Sequence, residues 1–82
     1  RFKVYPNPAK KEITVEVTGD KGQGTNKKYI VRIKNSVGQS IYEEKFEKKL
    51  RIDTSPFKAG IYLVEVCTSE GVVCHTEKVL IE

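Results

Sequence analysis

Apolar and polar residues alternate along most of this chain, and that period of two commits it to β-strands. Ile13, Val15 and Val17 fall on one face of a segment whose other face carries Thr14 and Glu16. Tyr29, Val31 and Ile33 repeat the pattern against Arg32 and Lys34, and Phe2 and Val4 share a face of a short first strand. Further strands are predicted from about Gln39 to Phe46, from Leu50 to Ile52, from Ile61 to Thr68 and from Val72 to Ile81. No window carries a convincing 3.6-residue period.

Turn residues separate these runs. Asn35-Ser36-Val37-Gly38 and Glu70-Gly71 read as turns, and Gly19 to Asn26 as a long polar loop. Gly38 is the natural bend, because glycine takes positive φ without steric cost. About seven short strands in 82 residues predict one domain, spanning residues 1–82. The expected architecture is an all-β, seven-stranded antiparallel sandwich of immunoglobulin-like type, with a closed barrel as the alternative. Pro6-Asn7-Pro8 interrupts the pattern early. Neither proline donates a ladder hydrogen bond, so this stretch is excluded from a sheet interior. It is expected to carry a stiff, extended chain from a short edge strand across to the partner sheet.

Composition removes several functions. The net charge is +4, but the lysines come as doublets (Lys10-Lys11, Lys27-Lys28, Lys48-Lys49) that suit the protection of sheet edges. The arginines, Arg1, Arg32 and Arg51, are dispersed, so no nucleic-acid platform is expected. No apolar run reaches the ~18 residues of a membrane span, and direct membrane insertion is not expected. The abrupt start at Arg1 reads as a piece of a longer chain.

Cys67 and Cys74 lie symmetrically about Glu70-Gly71 and would oppose each other in a regular hairpin. Their Cα atoms would then stand about 4.5–5.5 Å apart, within disulfide range. A disulfide and two space-filling thiols both remain open, and a bulge would break the register. His75 follows Cys74 directly and so points to the other face, which leaves too few ligands for zinc. Gly19-x-x-Gly22-x-Gly24 precedes a strand rather than the helix a phosphate loop requires. No nucleophile–base spacing stands out. No catalytic residue, metal or cofactor is expected.

Read in order, VYPNPAKKEITVEV, YIVRIKNSVGQSIYEEKF, LRIDTSPFKAGIYLVEV and HTEKVLIE together resemble the C-terminal sorting domain (type A) of the type IX, or Por, secretion system of Bacteroidota. The likeness covers nearly the whole chain. It rests on Pro6-Asn7-Pro8, on Asn35 and Gly38, on Gly60 and Tyr62, and on Lys78 followed by alternating apolar residues. The resemblance implies a non-catalytic targeting signal on a larger secreted protein. Such a domain takes its cargo through the periplasm to the outer-membrane translocon and the cell surface or extracellular space. Its implied partners are that translocon, a shuttle protein and a sortase that often removes the domain. Lys78, Val79, Leu80, Ile81 and Glu82 are expected to be the recognition element, offered to a partner by strand addition. A strand-exchanged homodimer is a further expectation for a domain with exposed edges. The alternative is a small carbohydrate-binding or adhesive sandwich, which would stack sugars on Tyr5, Tyr42 or Phe57.

Overall fold

The alternating pattern resolves into two antiparallel sheets. A computed structural model describes residues 2–18 and 28–82, and among them every regular element is a strand. These are β1 (Phe2–Tyr5), β2 (Glu12–Val17), β3 (Tyr29–Lys34), β4 (Ser40–Phe46), β5 (Lys49–Asp53), β6 (Gly60–Thr68) and β7 (Val73–Ile81). One sheet has the order β1-β2-β5 and the other β4-β3-β6-β7. The two sheets share no strand, so the sandwich forms and the barrel does not. The expected loop over Gly19–Asn26 lies outside the described residues.

Inward side chains follow the sequence period. Val4, Ile13, Val15 and Ile52 come from the three-stranded sheet. Val31, Ile33, Phe46, Tyr62, Val64, Val66, Val79 and Ile81 come from the four-stranded one. Burying them removes apolar surface from water, the main force that holds two such sheets together.

Pro6-Asn7-Pro8 does the crossing expected of it, by way of a bend rather than a straight run. β1 pairs with β2, whereas Ala9 forms a parallel bridge to Ile81 of the other sheet. Both X–Pro bonds, Tyr5-Pro6 and Asn7-Pro8, are cis.

Two hairpins are built alike. In the first, Gly38 N–H donates to Asn35 O and Asn35 N–H to Gln39 O, with Gly38 at φ +87°. In the second, Gly71 N–H donates to Thr68 O and Thr68 N–H to Val72 O, with Gly71 at φ +95°. Both are three-residue loops in which a type I turn ends on a left-handed glycine. The second loop therefore spans Ser69 to Gly71, not Glu70-Gly71 alone. This shifts the ladder by one residue, and Cys67 pairs with Val73. A bulge follows, since the next pair is Val66 with His75. At this bulge Val73 and Cys74 together oppose Cys67, and the Cys67–Cys74 pairing expected from the symmetry involves the Cys74 side chain, which lies outside the described residues.

Tyr62, near the start of β6, is buried and donates its hydroxyl to Lys58 O at 2.6 Å. A tyrosine bonded a few residues upstream at this corner is a hallmark of immunoglobulin-like sandwiches. Strand order and corner together place the chain in that class.

A domain of this length has a total stability of about 4–12 kcal/mol. Ile33→Ala, at a fully buried position, is expected to cost about 2–5 kcal/mol of it. Val37→Ala, in the exposed first hairpin loop, is expected to stay within about 0.5 kcal/mol. Urea unfolding midpoints of the two variants check the contrast.

Candidate functional site

β3 ends, β4 begins, β6 begins and β7 ends at the same end of the four-stranded sheet. The register sets Lys34 opposite Ser40 on one side and Leu63 on the other, with Leu63 opposite Lys78. Four separate stretches singled out in the sequence converge there.

The first is the proline-flanked asparagine. Asn7 Nδ2 donates to Lys78 O and Leu80 N–H donates to Asn7 Oδ1, both at 3.1 Å. One primary amide thereby occupies a donor and an acceptor of the strand edge, as a peptide group would. Ala9 continues the seal: its N–H donates to Leu80 O at 2.8 Å, and Glu82 N–H donates to its carbonyl at 2.7 Å. The outer edge of β7 from Lys78 to Glu82 is thus closed by four hydrogen bonds.

The second stretch is the β3–β4 loop. Asn35 Oδ1 accepts from the backbone N–H groups of Val37 and Gln39, and its Nδ2 donates to Gln39 Oε1. This side-chain turn fixes the loop beside β6. The third is Gly60 and Tyr62. Gly60 holds φ +155°, a region that L side chains rarely adopt, and pairs with Ile81. Tyr62 pairs with Val79.

The fourth is the terminal run itself, and it divides in two. Val79 and Ile81 are buried in the core, while Lys78, Leu80 and Glu82 are exposed. Strand addition at this run is corrected by the structure, because Asn7 and Ala9 already hold the hydrogen-bonding edge a partner strand would need. What the run presents outward is side chains.

Those side chains belong to a wider surface on the outer face of the sheet. Ile61 lies opposite Leu80, and half-buried Leu63 lies between Lys34 and Lys78. A cleft of about 320 Å³ runs there, lined by Lys34, Asn35, Ser36, Ile61, Leu63 and Lys78 among others. Deeper along the face, Glu65 sits 3.8 Å from Arg32 Nη1 and 3.5 Å from Lys34 Nζ. Arg32 also donates to Glu43, and that hydrogen bond and charge raise its pKa further. Among the described residues Lys78 has no acidic partner.

The family described as the secretion system C-terminal sorting domain matches residues 3–82. The chain belongs to the C-terminal sorting domains of type IX secretion. No curated protein matches it.

Parts of this sorting domain's surface escaped sequence reading. Ala9 gives no signal, because its role is purely backbone. Ile61 and Leu63 did leave one. Ile61-Tyr62-Leu63-Val64 is apolar without interruption, the mark of a strand covered on both faces. Tyr62 and Val64 take the core, so Ile61 and Leu63 face out. The aromatics proposed for sugar stacking are otherwise employed. Tyr42 and Phe57 pack against the core and each other, and Phe57 also against Tyr62. Tyr5, the more exposed of the three, is bound through its hydroxyl to Glu16.

Three substitutions probe how this end is held. Asn7→Ala removes two hydrogen bonds at an exposed edge and is expected to cost about 1–2 kcal/mol in thermal unfolding. Gly60→Ala meets no atom within 4 Å of the added Cβ, so its expected cost of about 1–3 kcal/mol is backbone strain. Tyr62→Phe should cost about 0.5–1.5 kcal/mol through loss of the bond to Lys58 O.

Proposed function

We propose that this sorting domain is the C-terminal part of a larger exported protein. It acts without catalysis, as a folded address that carries an attached cargo through the type IX outer-membrane translocon to the cell surface or beyond. Delivery involves a shuttle protein, and at the surface a sortase often removes such a domain. The match to the sorting family over residues 3–82 carries this reading. It is supported by the convergence of Asn7, Asn35, Gly60 and Lys78 to Glu82 on one end of the sheet. An address of this kind needs a stable, distinctive surface, and a closed sandwich with one presented end provides it.

Recognition here is a protein–protein affair. Residues 78–82 contribute in two ways: Val79 and Ile81 hold the fold, and Lys78, Leu80 and Glu82 face the partner. In a type IX-competent bacterium, a periplasmic reporter fused ahead of residues 1–82 is expected in the medium or on the cell surface. Quantitative retention of the folded fusion in the periplasm would contradict the proposal.

A further inference from the structure

The first half of β6 is apolar on both faces, yet among the described residues only one of them is covered there. On the other, Ile61 is 54% and Leu80 41% exposed, and they face each other across the ladder. Leu63 extends the strip toward Lys34 and Lys78. Paired strands stand about 4.8 Å apart, so the two lysine backbones flank Leu63 at a separation of roughly 10 Å. Of the acids on this face, Glu65 is engaged by Arg32 and Lys34 and Glu43 by Arg32, while Glu82 stands two residues beyond Leu80.

We infer that the terminal strand is read through this outer face, by an acidic segment of a protein partner that sets apolar side chains on Ile61, Leu63 and Leu80 and a carboxylate beside Lys78. The inference rests on the sorting reading and specifies the surface it uses. Three observations carry it. Apolar side chains exposed next to one another on a sheet face mark an interaction site more often than isolated ones do. Lys78, which has no acidic partner among the described residues, favours a carboxylate on the partner. The edge of β7 is closed by Asn7 and Ala9, which leaves the face as the route of access to Lys78 and Leu80.

The test uses the reporter fusion with Ile61→Asp, Lys78→Glu and, as a control on the other sheet, Lys3→Glu. Ile61→Asp and Lys78→Glu should each lower the exported fraction about tenfold or more, the loss expected of a central interface residue. Their melting temperatures should stay near that of the parent, and Lys3→Glu should export normally. A photo-crosslinking amino acid at position 61 in the otherwise unaltered fusion should capture an Asp- and Glu-rich segment of another protein. Wild-type export by both face variants overturns the inference while the sorting reading stands. Capture of a basic or neutral segment, of anionic lipid or of a second copy of this chain also overturns it. Retention of the parent fusion in the periplasm overturns the sorting reading itself, and this inference with it.

Discussion

The arrangement of this end of the molecule depends on the contact between Asn7 and β7. Two hydrogen bonds from one amide side chain, to Lys78 O and from Leu80 N–H, pin the crossing segment onto the last strand. Ala9 can then bridge Ile81, and the first and last parts of the described chain become neighbours. Without that seal, β7 would offer a row of unpaired amides and carbonyls, the usual template for aggregation or strand exchange. With it, the partner sheet's outermost strand is held on both sides through its last residues. A sorting domain benefits from such closure, since its surface stays distinctive without becoming adhesive.

Closure of the edge shifts the chemistry of recognition from backbone to side chain. Strand addition derives affinity from main-chain hydrogen bonds and is tolerant of sequence. Reading a face depends on which side chains stand there, so on the proposed reading specificity would rest on Ile61, Leu63, Lys78 and Leu80 rather than on extended geometry. The left-handed glycine and the Asn35 side-chain turn of the first hairpin, the backbone of Gly60, and the Tyr62 hydroxyl on Lys58 O place the elements on which these residues stand.

The strands themselves were legible because period two is a property of single segments. Ile13, Val15 and Val17, or Val31 and Ile33, declare their faces without reference to anything distant. Boundaries differ by about a residue: β5 extends one residue beyond Leu50–Ile52 at each end, and Val72 closes a turn instead of opening β7. What lay beyond reach was non-local. Nothing in Pro6-Asn7-Pro8 states that the asparagine will bond to a strand more than seventy residues away. The cysteine hairpin carries a local detail of a finer kind. A three-residue loop ending on Gly71 sets Cys67 opposite Val73, and the bulge then restores the ladder at Val66 and His75. The outer face was half visible, since the unbroken apolar run of β6 announces two covered faces but names only one cover.

Amide hydrogen exchange of the chain, resolved at Leu80 and Glu82, tests the closed edge most directly. If Asn7 and Ala9 hold that edge, both amides should exchange as slowly as the ladder amides of Tyr62 and Val64, opening only with the sheet. Exchange as fast as at Glu70, in the second hairpin loop, would show the edge to be open and would contradict the account.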